Sequence, residues 1–209
     1  MALGLWQRRR WLGLLWPAGL TAWSSAAQAG SQIEEPLADS VRSALSAAVM
    51  GIAPPQPVLS DAHEQRAHAL WLAQIGERLQ RHIDHPVERQ EFLQTLWYEA
   101  RRAAMPLSLV LGVVQIESAF RKFAISNAGA RGYMQVMPFW MRLLGDGDDS
   151  RLFHVQTNLR FGCVILRHYL ERERGDVFMA LGRYNGSRGL AAYPRAVLAA
   201  QRQWQHPLD

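Results

Sequence analysis

The chain has 209 residues, a formal net charge of +5 and a single cysteine, Cys163. One thiol cannot form an intramolecular disulfide, and it excludes a cysteine-based zinc site, so we expect a small buried core residue. The basic residues are scattered among acidic ones, whereas nucleic-acid-binding proteins usually carry a basic face, so no nucleic-acid partner is expected. The histidines show no ligand spacing, and we expect neither a metal nor a cofactor.

The first 29 residues have the pattern of an export signal. Three arginines at positions 8–10 precede an apolar stretch, 11–23, and Ala27-Gln28-Ala29 resembles a small-x-small cleavage site. The apolar stretch is shorter than the roughly 20 residues that span a bilayer. We predict cleavage after Ala29 and a periplasmic location, with an uncleaved anchor or a cytosolic tail as the alternatives.

Residues 30–59 are predicted to form a proline-containing N-terminal segment or linker. Residues 39–50 fit a short helix with an apolar face, whereas Pro54-Pro55-Gln56-Pro57 is typical of a stiff linker. The pattern leaves open whether this segment docks on the rest of the chain. We place the main domain at residues 60–209.

From residue 60 onward the pattern predicts helices almost throughout. Asp61 and Glu64 resemble a capping box, Pro86 suits a first helical turn, and Asp176 and Pro194 are predicted to begin the last two helices. No window alternates with period two, so we predict an all-α domain with minimal or no β-structure. Apolar stripes at helical spacing include Trp71, Ile75, Leu79 and Ile83, then Leu159, Cys163, Leu166 and Leu170.

The segment Leu107–Ile116 is nearly all apolar and is followed by Glu117. A buried strand also fits its composition, but Pro106 favours a buried helix. A carboxylate at the C-terminal end of a buried helix faces partial negative charge and loses solvation, and both effects raise its pKa. A protonated carboxyl group can donate a proton to a leaving oxygen. From position alone, however, pairing with Arg121 or Lys122 is the simpler interpretation.

Two later segments carry groups that could receive a sugar. Residues 129–138 form a glycine-punctuated loop, in which Gly129 and Gly132 permit positive φ and Gln135 can both donate and accept hydrogen bonds. Further on, Arg183-Tyr184-Asn185-Gly186 places an aromatic ring and an amide at a helix end. Each segment alone is explained more simply, as a turn and as a helix C-cap.

Together these segments closely resemble the soluble lytic transglycosylase family, whose catalytic domain is related to goose-type lysozyme. The resemblance covers roughly residues 103–195. Tyr133 and Arg183 replace small or aliphatic residues of the family pattern, and His154-Val155 stands where Asp-Pro is usual. Four motifs occur in the family's order: Gln115–Phe120 with its Glu-Ser pair, Ser126–Pro138, Asn158 with Gly162, and Arg183–Asn185.

The resemblance implies a lysozyme-like helical domain that cleaves peptidoglycan glycan strands non-hydrolytically, with Glu117 as the single acid/base. Most glycosidases use two carboxylates, but none of the other acids between Glu117 and Tyr184 lies in a matched motif. The products implied are 1,6-anhydro ends on N-acetylmuramic acid. Six residues are implied to bind substrate: Ser118, Ser126, Gln135, Met137, Tyr184 and Asn185.

Three other functions remain open at this point. A hydrolytic, lysozyme-type muramidase would use Asp146, Asp148 or Asp149 to position a water molecule. A non-catalytic cell-wall-binding module would retain the fold without the chemistry. A secretion-system accessory protein would perform the same chemistry with secretion or cell-wall machinery as its partner. In each case we expect a monomer.

Overall fold

The computed structural model describes residues 32–50 and 61–208. Within these ranges the chain forms eight α-helices, one 3-10 helix at Asp149–Phe153 and two isolated β-bridges. The predicted all-α fold is confirmed, while the export signal and the proline-rich stretch lie outside the described residues. The helices are α1 (Asp39–Met50), α2 (Ala62–Leu79), α3 (Pro86–Arg102), α4 (Leu107–Ser118), α5 (Pro138–Leu144), α6 (Val155–Arg172), α7 (Val177–Asn185) and α8 (Ala192–Trp204).

Local side-chain chemistry explains where several helices begin. The Asp61 carboxylate accepts hydrogen bonds from two first-turn N–H groups of α2, and Asp176 does the same for one N–H of α7. Pro86 opens α3, as predicted. The last helix begins at Ala192, two residues before Pro194, because proline fits anywhere in a first turn, where N–H groups lack intrahelical acceptors.

Helix α4 is buried on nearly all sides and packs along α8. At Gly112 a Cβ atom would lie 2.9 Å from the backbone nitrogen of Gln201 and 3.0 Å from the carbonyl oxygen of Val197. Glycine therefore lets the two helix backbones approach closely. Three residues further along both helices, the Trp204 indole donates to the Gln115 side chain at 2.6 Å. These contacts hold the C-terminal end of α4 against α8.

A buried ion pair joins α3 to α6. The Glu99 side chain is 1% exposed, and its Oε1 accepts from Nε and Nη2 of Arg160 at 3.1 and 2.8 Å. Arg102 approaches the second carboxylate oxygen at 3.4 Å. The charge of Glu99 is thus compensated within the core, as a buried carboxylate requires.

The described part of the N-terminal segment packs on the rest of the molecule. Helix α1 buries Leu45 and Val49 and lies against α5 and α6. The Ser46 hydroxyl donates to the carbonyl oxygen of Leu144 at 2.8 Å. Residues 32–50 are therefore docked, which the sequence had left open, whereas the domain boundary at residue 60 stays a prediction.

Two further observations concern the buried helices. Cys163 is fully buried on α6, where burial raises the pKa of its thiol, and the prediction of a core residue is confirmed. Among the helices at 39–50 and 62–204, none is both long and apolar enough to cross a membrane.

Candidate active site

Glu117 lies in the last turn of α4 and is 4% exposed. The chain leaves the helix abruptly, because Ala119 and Phe120 both adopt left-handed backbone conformations, with φ of 50° and 62°. The hydroxyl of Tyr193 donates to Oε1 of Glu117 at 2.6 Å. Burial, and then the charge of Glu117, raise the pKa of Tyr193 well above its usual value. Tyr193 is therefore a neutral hydrogen-bond donor to the carboxyl group.

Arg121 and Lys122, the suggested structural partners of Glu117, each contact another group. Nε of Arg121 donates to the carbonyl oxygen of Ser118 at 3.0 Å. The ammonium group of Lys122 lies 5.8 Å from the ring centroid of Phe123. Both side chains therefore contact residues at the end of α4 or just after it.

The glycine-rich loop is seated on Asn158 of α6. Its Oδ1 accepts from the N–H of Met134 at 2.7 Å, and its Nδ2 donates to the carbonyl oxygens of Arg131 and Leu152 at 2.8 Å each. At Gly132, where φ is 74°, a Cβ would lie 2.3 Å from Nδ2 of Asn158. Asn158, from the third sequence motif, therefore supports the loop formed by the second motif. Glycine is needed at position 132, where this loop contacts Asn158.

Gly162, the other member of the third motif, performs a related task. A Cβ at this position would lie 2.3 Å from Sδ of Met134. The loop can therefore lie directly on α6 only because this residue has no side chain. The carbonyl oxygen of Met134 in turn accepts from the Tyr184 hydroxyl at 2.8 Å, which ties α7 to the same loop.

Tyr184 is fully buried. Burial, followed by the nearby charge of Glu117, raises the pKa of its hydroxyl well above the usual value. The structure thus brings together Glu117 from α4, Tyr193 from α8, and Tyr184 from α7. Helices α7 and α8, which lie far along the chain from α4, thus both place a tyrosine near the carboxyl group of Glu117.

The family model for the transglycosylase SLT domain matches residues 95–202, which are 108 of the 209 residues. This range contains Glu117, the loop, Tyr184 and Tyr193. The chain belongs to the SLT family. The lysozyme-like relationship that the sequence motifs implied is confirmed.

Similar proteins include two named "Membrane-bound lytic murein transglycosylase C". The one from Haemophilus influenzae is 31% identical over 101 residues, covering 45% of this chain and 28% of the relative. The one from Actinobacillus pleuropneumoniae serotype 5b is 40% identical over 93 residues, covering 41% and 25%. A "Transglycosylase" of Enterobacteria phage PRD1 is 37% identical over 95 residues, covering 43% and 34%. The matches span about a quarter to a third of these relatives' lengths.

Two of the residues predicted to bind substrate brace the loop of this SLT domain. Gln135 is buried with φ of 49°, and its Nε2 donates to the carbonyl oxygens of Ala124 and Gly132 at 3.1 and 2.9 Å. The Ser126 hydroxyl accepts from the N–H of Ala130 at 3.1 Å. Both side chains therefore maintain the shape of the loop.

The remaining predicted residues lie nearby in the SLT domain. Ser118 is buried, and its hydroxyl donates to the carbonyl oxygen of Val114 at 3.1 Å, back along its own helix. Met137 is half-buried and directly precedes α5. Asn185 is buried at the end of α7, beside the left-handed C-cap Gly186. Their roles in substrate binding stay predictions.

The other acids between Glu117 and Tyr184 all have structural partners. Asp148 caps the 3-10 helix and Asp176 caps α7. Both carboxylates therefore serve as helix caps, and this role does not make either one a second catalytic carboxylate. The other four form ion pairs with arginines: Asp146 with Arg151, Asp149 with Arg131, Glu171 with Arg167, and Glu173 with Arg183 and Arg188.

Tyr193 was missed by sequence reasoning. It precedes Pro194 in the first turn of α8, the helix that contacts α4. The only sequence signal that could have identified it is weak, namely an aromatic residue with a hydroxyl group in the first turn of a helix. Its partner Glu117 is 76 residues away in the sequence. Within residues 32–50 and 61–208, no group of three or more His, Cys, Asp or Glu side chains is arranged to hold a metal ion.

Proposed function

We propose that this chain is a lytic transglycosylase that cleaves the β-1,4 bond between N-acetylmuramic acid and N-acetylglucosamine in peptidoglycan. The observation that carries the proposal is the buried carboxyl group of Glu117 with the Tyr193 hydroxyl 2.6 Å away. Membership of the SLT family and the names of the relatives support the same reaction class.

Glu117 acts first as an acid. It donates a proton to the glycosidic oxygen, the bond from this oxygen to C1 of the muramic acid breaks, and positive charge develops at C1. The hydroxyl of Tyr193 donates to the carboxylate that this transfer creates. A hydrogen bond to the charged form stabilises it, so Tyr193 favours the product of the first proton transfer and keeps the carboxyl group oriented.

Glu117 then acts as a base. It removes the proton from the C6 hydroxyl of the same muramic acid while O6 attacks C1, which closes the 1,6-anhydro ring and restores the protonated carboxyl group. No water molecule is consumed, because the nucleophile belongs to the bound substrate and is already close to C1. The arginine and capping partners of the other acids favour this one-carboxylate scheme over hydrolysis.

The loop residues are proposed to position the sugars. Because Nε2 of Gln135 is committed to two loop carbonyls, we expect this side chain to contact the substrate through its oxygen. Ser126 and Met137 are proposed to line the same surface. A part in substrate binding is also proposed for three buried residues: Ser118, Tyr184 and Asn185. A protonated Glu117 near neutral pH, the periplasmic location, the monomeric state and a secretion or cell-wall partner remain parts of the proposal.

Glu117→Gln tests this function. The amide has the shape of the carboxyl group but cannot donate the proton, so release of muropeptides from purified sacculi should fall by at least about a thousandfold. Wild-type products should carry 1,6-anhydro ends in mass spectra. Glu77→Gln, the same change at an exposed position of α2, is the matched control and should retain full activity.

Three outcomes would contradict the proposal. Retained cleavage by a folded Glu117→Gln protein would remove Glu117 from the mechanism. Reducing ends in the wild-type products would instead identify a hydrolytic muramidase. Binding to sacculi without any soluble product would favour the non-catalytic alternative.

A further inference from the structure

The residues that precede α1, 32–38, are here called the N-terminal strap. They lie outside the range that the SLT family model matches. The first residue of the strap, Gln32, is nevertheless only 5% exposed. Oε1 of Gln32 accepts from the indole N–H of Trp140 at 2.9 Å and from the backbone N–H of Met137 at 3.4 Å. Gln32 therefore contacts the end of the glycine-rich loop and the first turn of α5.

The same side chain forms a hydrogen bond with Tyr184 on α7. Burial, followed by the charge of Glu117, raises the pKa of Tyr184, and the side-chain hydrogen bond with Gln32 lowers it. A donor to the phenol oxygen has this effect, because it stabilises the ionised form. In a carboxamide only the nitrogen carries protons, so the amide nitrogen of Gln32 is the donor. One side chain of the strap thus connects the loop to α7.

These hydrogen bonds set the orientation of the Tyr184 hydroxyl. Its proton is donated to the carbonyl oxygen of Met134 at 2.8 Å. Its oxygen accepts from the amide of Gln32. A hydroxyl group has a single proton to donate, so the phenol near Glu117 is held with that proton directed at the loop.

Ion pairs hold the strap on α7 at the adjacent position. Glu35 pairs with Arg172 at 2.5 Å and with Arg183 at 3.0 Å. Arg183 directly precedes Tyr184, so two consecutive residues of α7 contact the strap. Arg183 is also a position at which this sequence departs from the family pattern, and docking of the strap gives that departure a structural reason. The ion pairs are partly exposed, so their contribution is modest and weakens with salt.

We propose that Gln32 is a positioning residue of the active site, which holds Tyr184 and the end of the glycine-rich loop in a fixed relative position. It acts through Tyr184 and Met137, two residues that are themselves proposed to bind the glycan. A small displacement of a bound substrate slows the chemical step even when the change is made away from the reacting atoms. The inference rests on the proposed function for the reaction that Gln32 affects.

The first test is the kinetics of Gln32→Met in the full chain. Methionine has nearly the length of glutamine but removes both hydrogen-bonding functions. With soluble glycan strands as substrate, kcat should fall by about tenfold, while KM should change by less than about twofold. Ile33→Met, at an exposed neighbour, is the matched control and should keep wild-type kinetics. Circular dichroism gives the folded fraction to which each rate is normalised.

A double-mutant cycle tests whether Gln32 acts through Tyr184. In a Tyr184→Phe protein the phenol oxygen is already absent, so Gln32→Met should lower kcat further by no more than about threefold. In a Tyr98→Phe protein, changed at a tyrosine of α3, Gln32→Met should cause the full loss. A general loss of structure would lower kcat by the same factor in both backgrounds.

A spectroscopic readout needs no cleavage. In protein labelled with ¹³C-tyrosine, the Cζ resonance of Tyr184, assigned with Tyr184→Phe, should move in Gln32→Met and stay in place in Ile33→Met. The resonance is measured without substrate, so its outcome is independent of whether Glu117→Gln abolishes cleavage.

A second pair of variants tests the ion pairs of the strap. Glu35→Ala leaves the Gln32 carboxamide intact and should lower kcat by only about twofold, as expected for partly exposed ion pairs. Glu34→Ala, at an exposed neighbour, should have no effect. A larger loss from Glu35→Ala than from Gln32→Met would assign the positioning role to the ion pairs instead of the amide.

Three further results would overturn the proposal. Wild-type kinetics in Gln32→Met would show that its hydrogen bonds do not position the site. Equal losses with and without the Tyr184 hydroxyl would show that Gln32 does not act through Tyr184. An unchanged Tyr184 resonance in Gln32→Met would show that the amide does not contact the phenol.

Discussion

Among residues 32–50 and 61–208, two glutamates are deeply buried, and their surroundings differ. Glu99, between α3 and α6, accepts two hydrogen bonds from the guanidinium group of Arg160. Glu117, between α4 and α8, accepts a hydrogen bond from the phenol of Tyr193. A guanidinium group is charged at all ordinary pH values, whereas the raised pKa of Tyr193, caused by burial and then by Glu117, keeps its hydroxyl neutral.

We propose that this difference separates the structural carboxylate of Glu99 from a reactive one at Glu117. The permanent positive charge of Arg160 pairs with the Glu99 carboxylate, and this ion pair links two helices. A neutral donor stabilises an ionised carboxylate less strongly than a cation does, and we propose that this lets Glu117 act first as the acid and then as the base. Burial alone therefore does not identify a catalytic acid, and the charge of the neighbour has to be known.

The largest effect that we expect from testing this comparison is a loss of stability when Glu99 is replaced. Glu99→Ala leaves Arg160 buried without its counter-ion, so the free energy of unfolding should fall by about 3–5 kcal/mol in urea titrations. Glu91→Ala, an exposed position on the same helix, should change it by no more than about 0.5 kcal/mol.

A double variant tests the reason for that loss. Glu99→Met with Arg160→Met removes both charges and should recover most of the lost stability. If the single variant proved as stable as wild type, Glu99 and Arg160 would not form the structural pair described above.

The next effect concerns the packing that brings Tyr193 to Glu117. Gly112→Ala places a Cβ 2.9–3.0 Å from the α8 backbone, so the helices must separate at a cost of about 1–3 kcal/mol. Muropeptide release should fall as well, because α8 carries Tyr193. At Gly76 on α2 the nearest atom to a Cβ would be a flexible leucine carbon at 3.5 Å.

Gly76→Ala is therefore the matched control, and it should stabilise the protein slightly by raising helix propensity. Equal stability of the two glycine variants would show that the α4–α8 contact is not tight. Normal activity in a destabilised Gly112→Ala protein would show that the position of α8 does not control Glu117.

The smallest effect is a shift in pH dependence. In Tyr193→Phe the ionised carboxylate of Glu117 loses a hydrogen bond, so Glu117 should keep its proton to higher pH. The alkaline limb of the pH–activity profile, which reports loss of the acid's proton, should move up by about one pH unit. Tyr98→Phe on α3 is the control. If the alkaline limb of the Tyr193→Phe profile stayed at the same pH or moved to lower pH, the hydrogen bond from Tyr193 to Glu117 would have no part in the catalytic cycle.

Local patterns in the sequence predicted much of this protein. Apolar stripes, prolines and capping aspartates predicted the helices, and the buried segment before Glu117 was correctly assigned as helix α4. The three contacts that sequence reasoning missed join residues far apart: Tyr193 and Glu117 by 76 positions, Arg160 and Glu99 by 61, and Trp140 and Gln32 by 108. Periodicity extends over a few helical turns and carries no information about such pairs.

The sequence by itself determined the all-α fold and the four motifs that mark the SLT family, because helix signals and motif spacing are local properties of the chain. It also singled out Glu117. Only the tertiary structure decided which neighbour each buried glutamate has, because the packing of α8 on α4 and of α6 on α3 sets those distances. Of the neighbours described above, Tyr193 presents a neutral phenol to Glu117, whereas Arg160 presents a charged guanidinium group to Glu99.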